Sequence, residues 1–257
     1  MTERIFVAEL DWITYDSLVR DGSKTLMIPV GALEQHGPHM SMNPDVLIPT
    51  AICARVASRI GALVAPAFQY GYKSQQKSGG GNHLPGTTSL DGYTLTLSVK
   101  DVLKEFARHG LRKVVLVNGH YENSMFLVEG VDLAIRELRW EGIRDFNVVL
   151  LSYWNFVLDE TIRQIYPEGF AGWDVEHGGV LETSLMLELH PSLVDMSRII
   201  DHPPATFPPY DVFPIRPEWT PASGTLSSAR NASTEKGRLL LSVCVDGIST
   251  HVGQAFR

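Results

Sequence analysis

The sequence predicts an α/β fold, a single domain in three α/β/α layers around a central, mostly parallel sheet. Three observations predict it. Short β-branched runs alternate with segments whose apolar residues recur at helical spacing, the pattern of a parallel sheet covered on both faces. Two of these runs end in a glycine followed by carboxylate and imidazole side chains, and ligands of such sheets gather at the carboxyl ends of strands. The chain has 257 residues, 44% hydrophobic and 20% charged, enough to bury one large core.

The runs Thr25–Val30, Ala62–Ala67, Lys113–Val117 and Asn147–Ser152 read as buried strands. Between them, Val46–Ile60 has apolar residues at helical spacing. Asp91–His109 opens at an acidic cap and closes at Gly110. Asn123–Trp140 aligns Leu127, Val131, Ala134 and Leu138 on one face and ends before Gly142. Gly179–Leu189 and Lys236–Val252 complete the helices. The stretch 203–221 holds seven prolines, too many for a helix or a central strand. It also carries Phe207, Tyr210, Phe213 and Trp219, so it reads as an ordered arm packed on a surface, its own subunit's or a neighbour's.

The net charge of −7 argues against nonspecific binding to nucleic acid or anionic membrane. Cys53 and Cys244 stand far apart and in no CxxC pattern, which argues against a thiolate metal site or a disulfide framework and for two buried helical thiols. The N-terminal MTERIFVAELDW has no apolar stretch of signal-peptide type, and no run reaches membrane-span length. A cytoplasmic protein is expected.

Two segments carry the chemistry. Glu34-Gln35-His36 follows the first strand, with Asp45 beyond it, and His120-Tyr121-Glu122 follows the third. In extended backbone, residues two apart point to the same side, so each segment presents a carboxylate and an imidazole to one point. With Asp45 there are five oxygen and nitrogen ligands, enough for two divalent ions, zinc or manganese, sharing a bridge. Paired metals are a hydrolytic device.

Three further features surround them. Ser78–His83 lacks the Lys-Ser/Thr of a phosphate loop and reads as a tight turn or as backbone that approaches a small ligand. Gly172–Ser184 groups Trp173, Asp174, Glu176, His177 and Glu182 at a helix entrance, where His177 suits a proton shuttle. Trp154 and Trp173 suit a pocket for a flat cationic or amide ligand.

PVGALEQHGPH with Asp45, then NGHYEN, then EHGGVLETS resemble, in order, the creatininase family of metal-dependent amidohydrolases. Many members have NGHGGN where this chain has Tyr121-Glu122, and a HAG-type turn where it has His177-Gly178-Gly179. These departures resemble the branch that acts on creatinine.

The resemblance implies a homohexamer with two divalent ions per subunit, Zn and/or Mn. The implied ligands are Glu34, His36, Asp45, His120 and Glu122, with Asp45 bridging. The implied substrate contacts are Ser78, Tyr121, Trp154, Trp173, Asp174 and His177, with Glu176 and Glu182 standing behind them. Catalysis is expected from His177 and Glu122, and the reaction is reversible hydrolysis of the cyclic amide of creatinine to creatine. The alternatives are another small cyclic amide or a formamide as substrate, or a non-catalytic metal-binding scaffold.

Overall fold

The computed structural model describes residues 4–257, so residues 1–3 of the expected 1–257 domain lie outside it. Its regular elements, in chain order, begin with α1 (Trp12–Val19), β1 (Thr25–Val30), α2 (Pro44–Ile60) and β2 (Leu63–Val64). Next come α3 (Gln76–Gly79), α4 (Gly92–Arg108), β3 (Lys113–Asn118) and α5 (Ser124–Trp140). The last are β4 (Asn147–Ser152), α6 (Asp159–Ile165), α7 (Val180–Leu189) and α8 (Thr234–Ala255). The expected strands and long helices all form, with ends shifted by a few residues. The exception is the second strand, cut to two residues because Pro66 has no N–H for the ladder. Helices α1 and α6, eight and seven residues long, are too short to show a clear period in the sequence.

The four strands run parallel in the order β2-β1-β3-β4. The chain steps from β1 out to β2, then returns across to β3, so the order reverses between β1 and β3. Such a switch point opens a crevice at the carboxyl ends of the strands. The side-chain alternation of the strands divides the core in two. Met27, Val115, Val117 and Leu151 pack under α2, α7 and α8. Leu26, Ile28, Val30, Val114 and Leu116 pack under α1, α4 and α5. Cys53 and Cys244 are buried thiols on α2 and α8.

Register places the site. Val30 is level with Asn118, so Gly31 and Gly119 stand side by side just beyond the two central strands. The first turn of α2 packs onto both. A Cβ on Gly31 would lie 2.4 Å from the Asp45 carbonyl oxygen, and one on Gly119 would lie 2.2 Å from the same atom. That carbonyl has no helical partner, because the residue four positions on is Pro49. The two glycines therefore let the start of α2, and Asp45 with it, drop into the crevice.

The 203–221 arm folds over its own subunit. Gln76 donates to the Arg216 carbonyl, Thr220 Oγ1 donates to the Gly80 carbonyl at 2.7 Å, and Lys77 pairs with Asp211 at 3.1 Å. It thus backs the glycine-rich turn, while Tyr210 and Phe213 stay exposed. Among the described residues, no helix is long and apolar enough to cross a membrane.

Candidate metal centre and active site

The cluster assembles from three elements at the switch point. The turn after β1 supplies Glu34 and His36, the first turn of α2 supplies Asp45, and the turn after β3 supplies His120 and Glu122. Glu34, His36, Asp45 and His120 are all nearly inaccessible to solvent, at 1–3% exposure. Asp45 stands at the centre. Its Oδ1 is 3.1 Å from His36 Nε2, and its Oδ2 is 3.0 Å from His120 Nδ1. Glu34 Oε2 is 3.1 Å from that same His120 nitrogen.

Backbone carbonyls set the histidine tautomers. His36 Nδ1 donates to the Glu34 carbonyl at 3.1 Å, and His120 Nε2 donates to the Tyr72 carbonyl at 3.0 Å. In the neutral form that a metal ligand takes, the other nitrogen of each ring carries a lone pair aimed at carboxylate oxygens. Acceptors facing acceptors in a dry site demand a cation between them. Glu34 Oε1, His36 Nε2 and Asp45 Oδ2 are buried with no hydrogen-bond partner. Burial opposes charge on His36 and on His120, yet the surrounding carboxylates outweigh it and hold both rings well above the usual histidine range. The same imbalance suits divalent metal. Oxygen and nitrogen donors with no thiolate fit zinc or manganese.

Two groups of donors share Asp45: Glu34 with Asp45 and His120, and His36 with Asp45 and Glu182. A third joins Glu34, His36 and His177. Glu182 thus reaches the cluster, with its Oε2 3.6 Å from His36 Nε2 and held by the Gly178 amide at 2.7 Å. Glu122 belongs to none of the three. Its Oε2 is 3.4 Å from His120 Nε2, and its Oε1 accepts from Ser78 Oγ at 2.6 Å and from the Gln75 amide at 2.9 Å. Gly79 separates it from Glu34: a Cβ there would lie 2.2 Å from Glu34 Oε1 and 3.2 Å from Glu122 Oε1.

A cavity of about 400 Å³ opens above the cluster, with Glu34, Asp45 and His120 in its floor. Ser78, Tyr121, Trp154, Trp173, Asp174, Glu176, His177 and Glu182 all line it, so the structure brings together every substrate contact expected from the sequence. Trp154 packs edge-on to buried Tyr153 at 5.0 Å, and Trp173 edge-on to Phe170 at 5.1 Å. Tyr121 and Trp173 remain exposed, forming a rim over a buried floor. His177 is buried, with its Nδ1 3.9 Å from Glu34 Oε2. Burial, abetted by the neighbouring His36 and only partly offset by Glu34, lowers its pKa. Glu176 Oε1 accepts from the Leu181 amide at 2.6 Å, and burial pushes its pKa up to about 7.

Sequence reasoning missed several participants. The carbonyl of Tyr72 and the amide of Gln75 are backbone groups, which leave no side-chain signature. Gln35 also faces the site's surroundings, and the alternation that pairs Glu34 with His36 is the signal that could have found it.

A buried carboxylate–imidazole cluster at the switch point of a parallel sheet, beneath an open cavity, defines a metal-dependent hydrolase of α/β/α architecture. The creatininase family, described as creatinine amidohydrolase, matches residues 8–252, and the chain belongs to that family. It is 67% identical to creatinine amidohydrolase of Pseudomonas putida, over 100% of this chain and 99% of that one. A solved creatininase variant complexed with creatine superposes with a TM-score of 0.97 at 67% identity, covering 99% of both chains. A creatininase variant of zinc–zinc type and a manganese creatininase match to the same extent.

Proposed function

We propose that this chain hydrolyses the cyclic amide of creatinine to creatine, reversibly, with two divalent ions, zinc or manganese, held by Glu34, His36, Asp45, His120 and Glu122. One observation carries the reading: Asp45 presents one oxygen to each of two histidines on the floor of a cavity walled by Trp154 and Trp173. When bound there, the ions lower the pKa of water and polarise a carbonyl.

The chain's own residues do the rest. The ring carbonyl lies over the cluster, and the tryptophans cover the flat ring and exclude bulk water. His177, kept neutral by burial, accepts the proton released as water adds to the carbonyl carbon. As the ring C–N bond breaks, His177 returns that proton to the departing nitrogen, and the product carboxylate is left against the cluster. Ser78 holds Glu122 at 2.6 Å and so fixes its carboxylate beside His120. Tyr121 and Asp174 line the mouth, where the guanidine portion of the substrate would sit.

The hexamer belongs to the same proposal. Trp12, Tyr93, Met125, Trp140 and Phe213 are large apolar side chains left exposed on the single chain, a surface that assembly would cover.

Incubating the metal-loaded protein with creatinine and assaying creatine tests the reading. Creatine is expected, with a formamide and a dipeptide left unchanged. Turnover of either control without creatine would reassign the substrate, and turnover of none would favour the scaffold.

A further inference from the structure

We propose that Gln35 is the positioning residue of this site: its single side-chain amide locks His177 and the Ser78 turn onto the metal-ligand segment. The inference rests on the reading above for what His177 and Ser78 do, but not for how they are held.

Gln35 lies between two ligand positions, and in extended backbone its side chain must face away from theirs. There it meets three other chain segments. Its Nε2 donates to the Gly224 carbonyl at 2.8 Å, reaches the Gly79 carbonyl at 3.4 Å and lies 3.1 Å from His177 Nε2. Its Oε1 accepts from the Gly37 amide at 3.0 Å. One hydrogen of the NH2 goes to Gly224 and the other is shared between Gly79 and His177, while the Gly37 N–H needs the oxygen, so these partners fix which end of the amide is which.

Glycines open the space. A Cβ on Gly224 would lie 2.2 Å from Gln35 Oε1, and one on Gly80 would lie 3.2 Å from Nε2. Both have positive φ, +83° and +79°, so the turns are shaped for backbone to close on this side chain.

The consequence falls on His177. Its Nε2 is 2.9 Å from the Gln35 carbonyl oxygen and 3.1 Å from the Gln35 amide nitrogen. One residue thus offers that nitrogen an acceptor and a donor. Held at Nε2, the ring keeps Nδ1 turned toward the cluster, 3.9 Å from Glu34 Oε2. A ring anchored at Nε2 stays in place while Nδ1 exchanges a proton. The backbone of His177 is tied to the same turn, because the Leu226 amide donates to its carbonyl at 3.0 Å. Through Gly79 the amide also braces the turn that carries Ser78.

The test compares Gln35→Leu and Gln35→Glu with the wild-type protein, alone and in a His177→Ala background. It measures kcat and KM for creatinine, bound metal, and the ring-nitrogen NMR signals of His177. Leucine removes every polar contact, while glutamate keeps the shape but sets an acceptor against the two glycine carbonyls. Both are expected to lower kcat by about 10–100-fold, the usual cost of losing a group that orients a site residue. KM is expected to stay within about 2-fold, bound metal is expected to be retained, and the His177 Nε2 signal is expected to move. In the His177→Ala background the further loss is expected to shrink to the part that acts through the Ser78 turn, well below the loss in the wild-type background, since coupled residues are not additive. Wild-type kcat in both variants, or losses that multiply in that background, would overturn the proposal. A moved His177 signal in a protein inactive on creatinine would refute the substrate and leave the clamp standing.

Discussion

Asp45 and His120 meet at 3.0 Å, Oδ2 to Nδ1, although one opens a helix and the other ends a strand turn 75 positions later. The contact exists because the α2 terminus is lowered onto Gly31 and Gly119. Replacing Asp45 with Asn removes the carboxylate charge that faces both His36 and His120 while keeping the shape. The expected outcome is loss of metal from both positions and a fall in turnover of at least about 100-fold. Metal analysis of the purified variant checks it, and two retained ions per chain would contradict the bridging role.

Gly119→Ala tests the packing itself. The added methyl would press on the Asp45 carbonyl at 2.2 Å and on Pro49 Cγ at 2.7 Å, both parts of a rigid helix start. Overpacking of this kind costs about 1–3 kcal/mol. Denaturant unfolding should show that loss, together with weakened metal binding, because Asp45 moves with the helix. Wild-type stability would mean that α2 can slide at no cost.

Ser78→Ala leaves Glu122 Oε1 with only the Gln75 amide. Turnover is expected to drop by about 10-fold with the fold intact, since one charge-assisted bond is worth about 1.5–3 kcal/mol. Steady-state kinetics and a melting curve measured together separate this from simple destabilisation.

Glu176 gives a pH signature. Burial, with the like charge of Glu182 adding to it, raises its pKa from 4.5 to about 7 in the folded protein. Between those values the folded chain keeps a proton that the unfolded chain has released. The contribution of this group to stability therefore falls as pH rises through that window. Glu176→Gln removes the titration. Its melting temperature is expected to gain on wild type progressively from about pH 5 to about pH 8. Parallel curves across that range would show that Glu176 is not buried as a neutral acid.

Much of this was legible in the sequence. The strand Thr25–Val30 and helix Asp91–His109 follow from local periodicity and punctuation, which do not need the rest of the chain. The pairing of Glu34 with His36 follows from the two-residue repeat of extended backbone, whereas Tyr121–Asn123 turns into a 3-10 helix and carries Glu122 to the far nitrogen of His120, away from Asp45. The residue types alone called for oxygen- and nitrogen-bound metal. Other features lay outside that reach. Glu182 was expected behind the ligands, yet its distance to His36 depends on how α7 sits against the turn after β1. The Pro66 break in the second strand was visible as a residue but not as a boundary.

The sequence by itself determined the alternating architecture, the donor chemistry and the Glu34–His36 pair, because each depends on neighbours a few residues apart. Only the tertiary structure decided that Asp45 stands between His36 and His120, that the 203–221 arm backs the Ser78 turn, and that Gln35 faces His177. Those are meetings of segments tens to hundreds of residues apart. They are set by the strand order, by register across β1 and β3, and by the clearance that glycine leaves at each crossing.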